Sequence, residues 1–202
     1  MKEIILHVLD LAENSVCAGA KTIQIDISEN LDKDILAASI EDDGRGMDQE
    51  MAQKVADPFY TSRTTRNVGL GIPLLKEAAE ACDGGMRILS KPGTGTRVEV
   101  SFRHSHIDRM PLGDLPATFT ELIIMHPEVH WVFRYLVRCA GEERAFDFDD
   151  KPVKKILEDI PLTHPDVLAY FGKMLEEGVD EAREILRPIF HEERQYAYCK
   201  IT

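Results

Sequence analysis

The sequence predicts an α+β fold in which a mixed β-sheet carries helices on one face. Two patterns predict it. Residues 2–18 space their apolar side chains as one face of a helix does, and Ile23, Ile25 and Ile27 then alternate with polar neighbours as in a half-buried strand. The chain continues to residue 103 as strand, loop, helix, strand and strand. We therefore expect residues 1–103 to form a two-layer α/β sandwich.

Each later element has its own local support. The stretch ILAASIEDD predicts the second strand, and residues 48–56 predict a short helix that begins with Asp48 as its N-cap. Residues 57–72 are rich in Thr, Ser, Arg and Gly, which is typical of a loop. The sandwich ends with a helix, IPLLKEAAEACDGG, which Gly84 and Gly85 terminate, and a hairpin of MRILS and TRVEVSF around the turn KPGTG.

Residues 104–116 are expected to be a linker, because prolines interrupt them and they show little periodicity. Residues 117–202 then form a small α+β extension that we interpret as a partner-interaction module. It contains two strands, HWVFRYLVR and ERAFDFDD, which meet at Gly141, and two helices, the second capped by Asp166. The hairpin has two interpretations: it replaces an edge strand of the sheet, or it forms an interaction module of its own.

Composition excludes several classes of protein. The net charge is -12 with no basic patch, which argues against nucleic-acid binding. No apolar run approaches the roughly 18 residues that a membrane span needs. The N-terminus lacks the features of a signal peptide. The four cysteines, which contain no CxxC pair, are typical of reduced thiols in a cytoplasmic protein.

The stretch EDDGRGM places Asp42 at the end of the second strand, followed by Gly44 and Gly46. A carboxylate there, with glycines that let the backbone approach a flat ring, suits recognition of an exocyclic amine such as N6 of adenine. The alternative is an ordinary junction between a strand and a turn, where Asp-Gly is common.

The stretch NVGLGIPLL places Gly69 and Gly71 at the start of a helix, where free N–H groups and the helix dipole favour a phosphate. It is neither a P-loop nor a dinucleotide-binding fingerprint, because it follows a loop and lacks the required residues. A tight entry into a helix is the alternative. The glycines of KPGTGTRVEV likewise fit a plain hairpin turn.

Taken in order, these motifs resemble those of the Bergerat-fold ATPases, the superfamily of gyrase, the heat-shock chaperone, MutL and the sensor histidine kinases. AENSVCAGAKTIQI is similar to the N box of MutL and gyrase. The F, G2 and G3 boxes of histidine kinases resemble DPFYTSR, GLGIPLLKEAAEACDGG and SKPGTGTRVEVSF. The resemblance covers residues 3–103 and implies ATP and Mg²⁺ as ligands.

The resemblance also implies a role for each motif. Asn14 would bind Mg²⁺, and the ion with its waters would satisfy the polar side chains on the first helix. Asp42 would accept a hydrogen bond from adenine N6. The other ATP-binding positions it implies are Gly44 and Gly46 beside the ring, Met47 next to them, Gly69, Leu70 and Gly71 at the phosphates, and Gly95 and Thr96 near the adenine.

Residues 48–68 would form a lid over the nucleotide, with Phe59 as its anchor. Arg63 or Arg66 would bind the γ-phosphate; the alternative is that both are solvated loop charges.

Asp10 occupies the position at which gyrase and MutL carry the glutamate that acts as general base. Its side chain is one methylene shorter, which reduces its reach by ~1.5 Å and disturbs the hydrogen bond that a base must make. We therefore expect slow hydrolysis without a partner. Glu13 is interpreted as a helix-surface carboxylate, and His7 as a structural neighbour of Asp10.

The chain begins almost at the N box, so we expect no helical hairpin with a phosphoacceptor histidine. The resemblance implies an ATP- and Mg²⁺-binding, histidine-kinase-like protein that phosphorylates or regulates a partner protein. Two alternatives stay open: a nucleotide switch like the anti-sigma factors of this superfamily, and a slow ATPase subunit of a complex. A homodimer is also possible in this superfamily.

Overall fold

The computed structural model describes residues 3–55, 71–157 and 164–186, together with residues 160 and 162. Twelve helices and strands lie in these residues: α1 Ile4–Cys17, β1 Thr22–Asn30, β2 Ile35–Asp42, α2 Gln49–Val55, α3 Gly71–Glu80, β3 Gly85–Lys91, β4 Gly95–Arg103, α4 Leu115–Met125, β5 His130–Cys139, β6 Glu142–Asp149, α5 Asp150–Leu157 and α6 Pro165–Arg183. A 3₁₀ turn, Glu184–Leu186, follows α6. Among the described residues, no helix has the length and apolarity needed to cross a bilayer.

One six-stranded sheet runs through the molecule in the order β3-β4-β2-β1-β5-β6. All neighbouring strands are antiparallel except β1 and β5, which are parallel, with Ile23 opposite Trp131 and Ile25 opposite Phe133. The parallel pair follows from the chain's path, because six of the described elements, the last of them α4, lie between β1 and β5 and leave room for a crossover.

The predicted two-layer α+β sandwich is confirmed. Alternate residues of each central strand point to one buried face, on which the helices pack, and this face holds most of the core. The opposite face is polar: Asp26, Ser39, Arg97 and Glu99 line an open groove there of ≈ 480 Å³. A sheet buried on one side only explains the alternation of apolar and polar residues that predicted the strands.

The C-terminal hairpin of β5 and β6 extends the sheet formed by the N-terminal strands. Of the two interpretations of the hairpin, the one that makes it part of the sheet therefore holds. Strand β5 lies directly beside β1, and its aromatic residues join the common core. Phe133 stacks between Phe119 of α4, with ring centroids 4.1 Å apart, and Phe148 of β6, at 5.5 Å. The aromatic residues of β5 are therefore part of the hydrophobic core.

The predicted linker contains no helix or strand up to residue 114, but its end packs against α1. The N–H groups of Ile4 and Ile5 donate to the carbonyls of Pro111 and Leu112, at 3.0 and 2.9 Å. Because the N-cap Glu3 makes no side-chain bond, these carbonyls satisfy donors that a helix start leaves unpaired.

Three local predictions need correction. Helix α4 was not predicted, because prolines precede and begin it and its side chains are apolar on several faces. Helix α3 ends at Glu80, ahead of the predicted glycine stop, because Gly85 already belongs to β3. The N-cap of α6 is His164, whose side chain accepts a hydrogen bond from the Asp166 N–H, so Asp166 lies in the first turn. The predicted Asp48 cap is confirmed, since its carboxylate accepts from the Met51 N–H at 2.8 Å.

Candidate functional site

Asp42, at the end of β2, is a buried carboxylate held by two separate parts of the chain. Its Oδ2 accepts a hydrogen bond from the Ser15 hydroxyl at 2.7 Å, and its Oδ1 accepts one from the Gly44 N–H at 2.9 Å. The Asp42 residue is 8% exposed. Because an ionised carboxylate offers about four acceptor positions, both oxygens retain a position for a ligand.

Glycines allow the segment after Asp42 to pack tightly on the β3–β4 hairpin. A Cβ on Gly46 would lie 2.0 Å from the Lys91 carbonyl oxygen, and a Cβ on Gly95 would lie 1.8 Å from the Asp42 carbonyl oxygen. Both residues have positive φ angles, 63° and 121°. The closest atoms at these two positions thus belong to the protein's own backbone.

A chain of hydrogen bonds connects the same segment to β3 and β4. The Met47 N–H donates to the Ser90 hydroxyl at 2.8 Å, and that hydroxyl lies 2.8 Å from the Thr96 hydroxyl. Ser90, Gly95, Thr96 and Asp42 line a groove of ≈ 300 Å³. The structure thus brings the predicted residues Asp42, Met47, Gly95 and Thr96 to one end of the sheet.

Helix α1 presents Asp10 and Asn14 on the same face, four residues apart. Both are half-buried. Asp10 faces the first residue of α3: a Cβ on Gly71 would lie 1.8 Å from Asp10 Oδ2. That oxygen is buried and has no hydrogen-bond partner within the described parts of the chain. Burial raises the pKa of the Asp10 carboxyl, as expected for a charge removed from water.

Two other polar residues of α1, His7 and Glu13, lie against other parts of the protein. His7 is buried beside Asp10, and burial lowers the pKa of its imidazole. Glu13 turns away from this face and pairs with His126 after α4, with Oε1 2.8 Å from Nε2. Glu13, whose side chain is 34% exposed, therefore lies at the surface and also contributes to the contact between α1 and the end of α4.

Five of the predicted positions lie outside the described residues: Phe59, Arg63, Arg66, Gly69 and Leu70. Of the predicted lid, α2 lies within them. Sequence reasoning missed two residues at the site, Ser15 and Ser90. Both serines lie inside motifs that the sequence analysis had already identified. Ser15 follows Asn14 in the N-box-like stretch, and Ser90 is the first residue of SKPGTGTRVEVSF.

The first half of the chain is similar in sequence to known proteins. Residues 1–106 match the family described as histidine kinase-, DNA gyrase B-, and HSP90-like ATPase. The chain is 35% identical over 95 residues to the signal transduction histidine-protein kinase AtoS of Escherichia coli (strain K12), a stretch that covers 47% of this chain and 15% of AtoS. The chain therefore spans only a small part of that relative's length.

Two solved structures resemble the fold. One is the N-terminal domain of a DNA repair protein, with a TM-score of 0.48 and 14% identity, over 80% of this chain and 59% of that one. The other is the Aquifex aeolicus MutL ATPase domain complexed with ADP, with a TM-score of 0.40 and 16% identity, over 78% of this chain and 70% of that one.

Proposed function

The chain belongs to the family of histidine kinase-, DNA gyrase B-, and HSP90-like ATPases, and on that premise we propose that it binds ATP with Mg²⁺ and uses the nucleotide to phosphorylate or regulate a partner protein. The nucleotide lies between α1, the end of β2 and the start of α3. Its adenine is at Asp42 and its phosphates point to the N-terminus of α3.

The geometry of Asp42 carries this proposal. A buried carboxylate that is hydrogen-bonded by Ser15 and Gly44 stays in one orientation, with acceptor capacity left for an exocyclic amine. The groove beside it, lined by Thr96 and Gly95, opens at the same end of the sheet. Such a fixed acceptor discriminates adenine from guanine, because guanine presents a carbonyl oxygen where adenine presents N6.

The phosphate end is supported by α1 and α3. Asn14 offers a neutral amide oxygen, a ligand that Mg²⁺ accepts together with phosphate oxygens and water. Helix α3 begins at Gly71, beside Asp10, and a helix N-terminus favours the negative charge of phosphates. Thus Asn14 is proposed as the metal ligand and Gly71 as a phosphate-facing residue.

The partner belongs to the proposal as well. The match to the histidine kinase AtoS covers 15% of AtoS, and the partner that this proposal names is a second protein that accepts the phosphate or responds to the bound nucleotide. The alternative hypothesis is a nucleotide switch, in which ATP binding alone controls association with the partner.

Cys17, Cys82 and Cys139 are free thiols, which supports a cytoplasmic location.

A second candidate function, slow ATP hydrolysis, is favoured by Asp10. Its buried Oδ2 has no partner in the described residues, and the raised pKa of the carboxyl makes it a stronger base for a water near the γ-phosphate. Asp10→Asn is expected to abolish phosphate release while ATP binding persists.

Calorimetric titration with ATP and Mg²⁺ tests the binding site. Asp42→Asn converts an acceptor oxygen into a donor and is expected to weaken ATP binding about 30-fold or more, since one opposed hydrogen bond costs about 2 kcal/mol. Asp147→Asn, at an exposed carboxylate of β6 that pairs with Arg134, is the matched control and should bind as the wild type does. Unchanged binding by Asp42→Asn would contradict the site.

Incubation with γ-labelled ATP and co-purified proteins separates the outcomes. Label transferred to a partner supports the kinase, and ATP-dependent association without label supports the switch. Phosphate release that Asp10→Asn removes supports the ATPase.

A further inference from the structure

Three side chains outside the proposed nucleotide site converge where β5 begins and β6 ends. They are His130, Asp149 and Asp150, and one ligand atom from each lies within 4.8 Å of the others. His130 Nε2 is 2.9 Å from Asp149 Oδ1 and 3.9 Å from Asp150 Oδ1. The antiparallel hairpin brings residues 130 and 149 together, which their spacing in sequence does not reveal.

The burial of Asp150 is the second observation at this cluster. Asp150 is 0% exposed, and its Oδ1 has no hydrogen-bond donor within the described residues, nor has the buried Nδ1 of His130. Buried carboxylate oxygens are normally paired, because leaving one unpaired is costly. An oxygen in this state, close to an imidazole and a second carboxylate, is available to bind a cation.

We propose that His130, Asp149 and Asp150 bind a divalent transition-metal ion of the Zn²⁺ class. One imidazole nitrogen with two carboxylate oxygens is a ligand set that suits Zn²⁺, Co²⁺ or Mn²⁺, whereas Mg²⁺ prefers oxygen ligands alone. Three protein ligands leave a fourth position for water. His130 binds as the neutral imidazole through Nε2.

Lys154 defines the charge of this site. Its Nζ lies 2.6 Å from Asp150 Oδ2 and 2.5 Å from the Val129 carbonyl oxygen. The ammonium group pairs with Asp150 Oδ2 and leaves Oδ1 for the metal. Its positive charge also repels a cation, and the His130 Nδ1 has no acceptor among the described residues, so micromolar rather than nanomolar affinity is expected.

The site is separate from the proposed ATP site. His130 pairs with Thr22 on β1, and Ile23 of β1 pairs with Asp42 on β2, so two strand spacings, about 10 Å, separate the two groups along one edge of the sheet. The metal ion is therefore distinct from the Mg²⁺ of the nucleotide, and its binding does not need ATP.

Calorimetric titration of the full chain with Zn²⁺, in excess Mg²⁺ and without nucleotide, tests the proposal. One equivalent is expected to bind. His130→Gln and Asp150→Asn should each weaken binding about 10–100-fold. The matched controls are His126→Gln, whose imidazole pairs with Glu13, and Asp147→Asn, whose carboxylate pairs with Arg134; both should bind Zn²⁺ as the wild type does.

Lys154→Met is expected to change the Zn²⁺ affinity in the opposite direction from the ligand variants. Removing the ammonium group should tighten Zn²⁺ binding about fivefold or more, because a repulsive charge has left the site. The midpoint of thermal unfolding of this variant should rise more with Zn²⁺ than that of the wild type. If the folded wild type binds no Zn²⁺, the cluster holds only water and the proposal is wrong. Uptake that persists in both ligand variants overturns it as well.

Discussion

At the scale of single residues, the proposed site depends on backbone that only glycine permits. Gly46 lets the segment after Asp42 lie against the β3–β4 turn, and Gly93 in that turn donates its N–H to the Arg45 carbonyl at 2.8 Å. The sequence predicts that Gly46 lets the backbone lie close to the adenine ring. The structure shows that the nearest obstacle to a side chain there is the Lys91 carbonyl oxygen.

Gly46→Ala and Gly93→Ala test this packing as a pair. Both glycines have positive φ, 63° and 73°, so each alanine carries a conformational cost of about 1–2 kcal/mol. Only at Gly46 does the new Cβ also overlap with backbone, since nothing lies within 4 Å of it at Gly93. Gly46→Ala should therefore lower the free energy of unfolding by about 1–3 kcal/mol more than Gly93→Ala. Equal losses in urea titrations would contradict this packing.

At the scale of elements, a buried polar cluster joins α6 to the sheet. The Tyr135 hydroxyl of β5 donates to Glu29 Oε1 of β1, and Arg183 Nε of α6 donates to that hydroxyl at 2.9 Å. His104 Nε2 lies 2.8 Å from Glu29 Oε2. Burial acts to raise the pKa of Glu29, but these hydrogen bonds outweigh it, and the pKa is lowered.

The lowered pKa of Glu29 predicts how stability varies with pH. The cluster stabilises the fold above the unfolded-state pKa near 4.5, and its contribution is lost as the pH falls through the lower folded-state value. Tyr135→Phe should lower the free energy of unfolding by about 1.5–3 kcal/mol at pH 7. The difference in the free energy of unfolding between Tyr135→Phe and the wild type should become smaller below pH 4.5.

Urea titrations across that pH range provide the measurement. Tyr170→Phe, at an exposed tyrosine of α6, is the control and should match the wild type throughout. A gap for Tyr135→Phe that stays constant down to acid pH would show that Glu29 does not titrate in this way.

Sequence patterns predicted the elements whose burial has a simple period. Alternation identified β1 and β5, since each buries every second residue. Helix α4 also buries residues at a helical spacing, namely Leu115, Thr118, Phe119, Leu122 and Ile123. It escaped prediction because prolines precede and begin it and because its exposed side carries the apolar Met125, which obscures the pattern. The contact of β5 with β1 and the cluster at His130 depend on long-range pairing, which local sequence does not encode.

At the scale of the whole molecule, one sheet and one hydrophobic core include residues from both sides of the predicted linker at residues 104–116. Strand β5 lies against β1, and Phe119 and Phe133 stack within the common core. The part before residue 104 and the part after residue 116 thus bury each other's apolar surface. A shared core favours unfolding in one step.

We therefore expect one cooperative unfolding transition. Trp131, the one tryptophan of the chain, is fully buried on β5, so its fluorescence reports the C-terminal part, while far-UV circular dichroism reports all helices and strands. The two probes should give the same urea midpoint. An earlier fluorescence midpoint would instead indicate two units that unfold independently.

The central claim is that Asp42 and Asn14 hold the two ends of one ATP molecule. A crystal structure of the protein with Mg²⁺ and a non-hydrolysable ATP analogue tests it most directly. Adenine N6 is expected at hydrogen-bond distance from the Asp42 carboxylate, about 2.7–3.2 Å, and Mg²⁺ is expected to bind the Asn14 side-chain oxygen. A nucleotide bound elsewhere, with Asp42 contacting only Ser15 and Gly44, would contradict it.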